Sequence, residues 1–145
     1  MDTMKPISKA ALQVFRKLAT GLKEPGTANK IDNAKGAFMA VSIDLLQRHH
    51  HGPAGTYELY AVAHRYELNG DLVPDPDVEF LAVRDHTGAV AAVYPLAIDH
   101  GMGRYRRHAW LKADLTPDRL APAAQKDLAT FCSVWFKNIK EQQGL

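Results

Sequence analysis

Residues 63–80, AHRYELNGDLVPDPDVEF, constrain the fold more than any other stretch of the chain. Asn69 and Gly70 tolerate positive φ, while Pro74 and Pro76 fix their own φ angles and push Val73 and Asp75 out of the helical region. The stretch reads as one extended segment, a rigid acidic turn, and a second extended segment. The corner is built into the chain and is not a loose loop.

With 145 residues, 46% of them hydrophobic and 23% charged, the chain suits a single α+β domain over residues 1–145 with a sizeable core. One cysteine, Cys132, excludes an intramolecular disulfide and a zinc site built on paired thiolates, and it fits a reducing cytoplasm. No apolar run has the length of a membrane span, and the N-terminus has no basic region followed by an apolar core, so a soluble, cytoplasmic protein without cofactor is expected. The net charge of +2 hides a segregation. Residues 1–52 hold eight basic and four acidic residues, residues 53–99 two and eight, and residues 100–145 eight and four, for +4, −6 and +4. An acidic middle between basic ends ties the chain together by surface charge pairs or presents patches of opposite sign to partners.

Ser8 is placed to cap a helix to about Leu22, with Leu12, Phe15, Ala19 and Leu22 on one stripe. Residues 27–35 read as a loop or as one irregular helical turn. Alternation then predicts strands over 37–47, 57–68, 78–84, 89–96 and 104–112, with residues 49–55, HHHGPAG, as a loop and Asp85 to Gly88 as a short hairpin connection. Thr116 and Pro117 resemble a helix start and Pro122 a second one. Leu128, Phe131, Cys132, Trp135 and Ile139 recur at helical spacing beyond it. The predicted architecture is a four- to five-stranded antiparallel meander flanked by an N-terminal and a C-terminal helix, both packed on one sheet face.

Residues 64–72, HRYELNGDL, followed by 75–80, DPDVEF, resemble the signature of an uncharacterised bacterial domain family carried by plasmids, integrative elements and phages. Tyr94 and Pro95, then Asp99, Gly103 and Tyr105, match that family's second block, so the resemblance covers residues 63–110. Residues 125–140 are more weakly similar to a second uncharacterised family of small bacterial proteins. Val73, Pro74 and Val78 depart from the pattern, and the histidine-rich loop is peculiar to this chain. The resemblance implies a mobile-element origin and carries over no catalytic residue.

Three groups of residues are candidates for chemistry. Asp71, Asp75, Asp77 and Glu79 offer oxygens to a hard cation, but their spacing and the prolines do not fit a calcium loop, and turn hydrogen bonds on an exposed corner account for them. Among seven histidines, the three at 49–51 read as solvated loop surface. His64 and His108 are the candidate metal ligands if two strands bring them side by side, with a structural histidine as the simpler reading. Residues 104–112, RYRRHAWLK, form the third group. As one strand they place Arg104, Arg106, His108, Trp110 and Lys112 on one face, a basic row able to hold phosphates and stack a base, to meet an acidic protein, or to pair with the chain's own acidic corner. No nucleophile elbow or phosphate loop is present, and Cys132 lies on an apolar stripe.

The reading that follows is a non-enzymatic mobile-element accessory protein. It binds a host protein or protein–nucleic-acid complex through Arg104, Tyr105, Arg106, Arg107, Trp110, Asp71, Asp75 and Asp77. A host defence complex of the CRISPR or restriction kind is the expected target. A nucleic-acid-binding factor using residues 104–112 is the first alternative, and a metal-dependent enzyme using His64, His108 and the acidic corner is the second.

Overall fold

In the computed structural model, which describes residues 3–145, the helical and alternating patterns of the sequence separate into layers. The Ser8 hydroxyl accepts from the Ala11 amide at 3.1 Å, and α1 (Lys9–Leu18) follows with Ala11, Val14, Phe15 and Leu18 buried. The helix stops short of Leu22. The Asn29 side-chain amide donates to the carbonyls of Leu18 at 2.9 Å and Thr20 at 2.8 Å, answering acceptors that a helix end leaves open.

Asn29 lies in β1 (Thr27–Ile31), so this stretch is a strand and neither a loop nor a helical turn. As an edge strand with mostly exposed side chains it carries no apolar alternation to announce it. The strands β2 (Val41–His50), β3 (Thr56–Leu68), β4 (Asp71–Arg84), β5 (Val90–Asp99) and β6 (Tyr105–Arg107) follow, and the six pair antiparallel in sequence order. The expected meander is present with six strands in place of four or five. His49 and His50 are strand residues paired with Tyr57 and Thr56, which corrects their assignment to a loop.

The corner is tighter than the sequence indicates. Asn69 (φ 52°) and Gly70 (φ 85°) form a two-residue hairpin connection between the paired Leu68 and Asp71. β4 starts there and runs through both prolines, so the acidic turn expected up to Val78 is replaced by strand. Two features admit the prolines. β5 reaches β4 only as far as Asp77, leaving residues 71–76 with one neighbour, and a register slip opposite Ala63 and Arg65 places an extra residue on β4 between Asp77 and Pro74.

One sheet face carries cross-strand rows of buried residues, such as Ile43, Val62, Val78 and Ile98, and Leu45, Tyr60, Phe80 and Pro95. α1 and α2 (Pro122–Gln143) both pack on this face. Phe15 meets Tyr60 edge-on at 5.1 Å, and Phe136 stacks between Phe80 and Trp135 at 5.4 Å on each side. Leu128, Cys132, Trp135 and Ile139 are buried as the spacing predicts, and Phe131 is half-buried. Pro122 opens α2 and Gly144 ends it in the left-handed conformation. Thr116 and Pro117 do not start a helix: the Thr116 hydroxyl is bound to the Asp114 carboxylate at 2.5 Å, and β8 (Pro117–Leu120) pairs with β7 (Ala109–Leu111). This small two-stranded sheet covers part of the opposite face, where Ala109 and Leu115 bury against Leu81 and Leu96.

Candidate functional site

The basic row of residues 104–112 is split in two. β6 closes the edge of the large sheet, but the His108 amide donates to Leu96 O at 2.8 Å and the chain then leaves that edge for β7 in the other sheet. Burial of Ala109, Leu111 and Leu115 over the outer face outweighs continuation of the edge strand. Trp110 therefore stands apart, with the Arg119 guanidinium 4.7 Å from its ring, and the single arginine–aromatic face expected from the sequence does not form. Arg107 is also not free for a partner. It is paired with the Glu79 carboxylate, donates to Ala109 O at 3.1 Å, and donates to the Tyr105 hydroxyl at 3.0 Å.

What the fold leaves exposed is the tip of the β5–β6 hairpin, from Met102 to Arg106. Met102 is 72% exposed and Tyr105 45%. Arg104 donates to the carbonyls of Gly101 and His100, and Arg106 to that of Tyr105. Neither meets a carboxylate among the described residues, so both charges are uncompensated. The turn beneath is held by the Asp99 carboxylate, which accepts from the Gly101 amide at 2.7 Å.

The acidic residues fall into separate settings. Asp71 is exposed at the β3–β4 turn and Asp75 lies 3.6 Å from His100. Asp77 is elsewhere, directly opposite Asp99 on β5, with Glu79 two residues along and Asp44 two strands away on β2, all on the outer face. Like charges opposite one another across a sheet oppose pairing. Burial raises the Asp77 pKa, Arg65 at 3.5 Å lowers it, and Glu79, Asp99 and Asp44 raise it further. The sequence names Asp77 and Glu79, whereas Asp44 and Asp99 join only through the register.

A third constellation, which the sequence reading misses, lies at the far end of the sheet from the hairpin tip. Glu58 is fully buried on the helix-facing side of β3. Its carboxylate accepts from Arg48 Nε at 2.8 Å and Nη2 at 2.6 Å, from Arg84 Nε at 2.6 Å, and from the Tyr60 hydroxyl at 2.9 Å. Burial, then the Glu58 charge, pushes the Tyr60 pKa up to about 12. The available signal was a glutamate on the inward phase of a strand that otherwise reads Tyr60, Val62 and His64.

Residues 9–145 match DUF6908, a family described as a domain of unknown function. The chain belongs to this family. No curated protein and no solved structure matches it. Membership in DUF6908 agrees with the expected kinship to an uncharacterised domain family, and it assigns no activity.

His64 and His108 do not come together. His64 is buried on β3 against α2, where its Nδ1 accepts from Trp135 Nε1 at 3.2 Å, while His108 sits between β6 and β7. The proton of neutral His64 is then on Nε2, which is buried and has no hydrogen-bond partner among the described residues. Burial lowers the His64 pKa and Asp75 opposes that shift. His51 packs on Tyr57 at 4.4 Å and bonds Asp114 O at 2.8 Å, and His50 bonds the Thr56 hydroxyl at 2.8 Å, so these two neighbouring histidines point to different partners. Among the described residues no group of three or more His, Cys, Asp or Glu is arranged to hold a metal, and no helix is long and apolar enough to cross a membrane. Cys132 is buried and its thiol pKa is pushed up by burial alone.

Proposed function

We propose that this DUF6908 domain acts by binding a protein partner, with the β5–β6 hairpin tip as its contact. The observation that carries the reading is the exposed run Met102 to Arg106, in which Tyr105 stands between two arginines without a carboxylate partner. Exposed Met, Tyr and Arg are the residue types that protein interfaces favour. An acidic surface on the partner complements the tip. Beside it on the outer sheet face, the half-buried carboxylates of Asp44 and Asp99, which meet no cationic side chain among the described residues, invite basic groups.

The same arrangement argues against nucleic acid as the partner. A phosphate backbone tracking the tip meets the repulsion of those carboxylates, and Trp110, the aromatic that would stack a base, is held in the other sheet by Arg119. As to the partner's identity, we favour a component of a host defence complex met by a mobile-element protein in the cytoplasm. The mobile-element resemblance and the single cysteine support this, and non-enzymatic action accords with it.

The test is the double charge reversal Arg104→Glu with Arg106→Glu. Co-purification of a defined partner from the native host is lost in this variant while its melting temperature stays that of the parent. Labelled single- and double-stranded DNA and RNA bind the parent no tighter than about micromolar at physiological salt. Tighter binding that disappears in the double variant assigns the tip to nucleic acid and removes the protein-partner reading.

A further inference from the structure

We propose that the cleft between the C-terminal end of α1 and the sheet end that carries Glu58 binds a small oxyanion, a phosphate ester or a polycarboxylate. The cleft has a volume of about 770 Å³, and its charged lining residues are Arg16, Arg48, Arg84, Lys23 and Glu24. It is at the opposite end of the sheet from the hairpin tip and is independent of the protein-binding reading.

Charge is what distinguishes it. The carboxylate of Glu58 is saturated by four donors, three of them from the two guanidinium groups of Arg48 and Arg84. One buried anion thus fixes two cations. Arg16 adds a third, and both of its hydrogen bonds, from Nε at 3.0 Å and from Nη2 at 2.5 Å, end on the neutral carbonyl of Val90. A purely structural clip would balance its charges, because like charges held close together repel. Here Arg16, Lys23, Arg48 and Arg84 face only Glu58 and Glu24, a surplus of two positive charges around the cleft.

Donor capacity points the same way. A guanidinium has five N–H groups. Arg48 commits three, two to Glu58 and one to Lys23 O, and Arg84 commits three, to Glu58, Gly88 O and the Tyr60 hydroxyl. Arg16 commits two. The remaining N–H groups belong to side chains that line the cleft, and those of Arg48 and Arg84 are 21% and 24% exposed. Guanidinium groups whose planes are already fixed bind planar or tetrahedral oxyanions through paired hydrogen bonds with little further loss of side-chain freedom.

Thermal unfolding and isothermal titration of the full chain at constant ionic strength test the site, with inorganic phosphate in one arm, citrate in the second and chloride in the third. A saturable rise in melting temperature with phosphate or with citrate, absent with chloride, is expected, and the arm that responds assigns the ligand class. Arg16→Gln weakens that binding at least tenfold, and Arg106→Gln at the hairpin tip leaves it unchanged. Should Arg16→Gln fail to fold, Lys23→Gln, at an exposed lining residue, decides by the same criterion. No saturable response in either oxyanion arm, or a response that the cleft variants retain, overturns the proposal.

Discussion

Gly70 and Gly55 both adopt positive φ, at 85° and 98°, yet the surroundings make them unequal. A Cβ at Gly70 meets nothing within 4 Å among the described residues, so the expected cost of Gly70→Val is the conformational penalty, about 1 kcal/mol or somewhat more. At Gly55 the Cβ would stand 2.2 Å from Arg84 O, a backbone atom that moves only if the start of β3 and the end of β4 separate. Urea unfolding of Gly55→Ala is therefore expected to show a loss well above that of Gly70→Val, even though alanine is the smaller side chain. Equal losses would mean that φ alone governs both positions. Gly55 also bears on function, because Arg84 leads directly into the cluster around Glu58.

At the scale of elements, the Glu58 cluster ties β2, β3 and β4 together through Arg48 and Arg84, and reaches the segment between α1 and β1 through the carbonyl of Lys23. Glu58→Gln keeps the shape and removes the charge, leaving two guanidinium groups around a neutral amide. Removing one partner of a buried pair costs about 3–5 kcal/mol, and the partial exposure of both arginines places the expected loss near about 3 kcal/mol. Chemical denaturation reads this directly, and a loss below about 1 kcal/mol would reduce the cluster to an ordinary surface pair. The elements that were legible in the sequence are those with a buried face: the stripe of α2, the alternation of β2 and β3, and the hairpin at Asp85. Those that were not legible answer to tertiary context. β1 is an exposed edge, β4 continues through two prolines because half of it lacks a second neighbour, and residues 104–112 divide because Ala109 and Leu115 find a better place over the outer face. The candidate site shared that fate. Of its exposed part, Arg104 to Arg106 lie within the row read from the sequence and Met102 and Gly103 precede it, whereas Arg107 and Trp110 were drawn into intramolecular contacts that only the fold reveals.

At the scale of the whole molecule, the acidic middle and basic ends meet through Glu79 with Arg107 and Asp75 with His100, and the stability of the assembly depends on pH through groups that burial has displaced. His64 is the one that acts near neutrality. Its folded pKa is lowered from the ordinary 6.5, first by burial, with Asp75 opposing. Above pH 6.5 it is neutral in both states and its full contribution to stability is present. Below that value the unfolded chain takes up a proton that the folded chain refuses, so stability falls as the pH drops toward the folded pKa, by at most about 1.4 kcal/mol per pH unit. Protonation also removes the Nδ1 lone pair that accepts from Trp135, so the fall is coupled to the core packing of α2. Asp77 has the opposite sign. Its folded pKa is raised from 3.8, so acidification through that raised value returns stability and flattens the curve at its acid end. Melting temperatures measured from about pH 8 to about pH 5 should therefore hold a plateau and then decline below about pH 6.5. In His64→Phe, which keeps a buried ring but cannot titrate, the decline over that interval should disappear. A decline of equal size in the variant would assign the effect to other groups and leave His64 as packing alone.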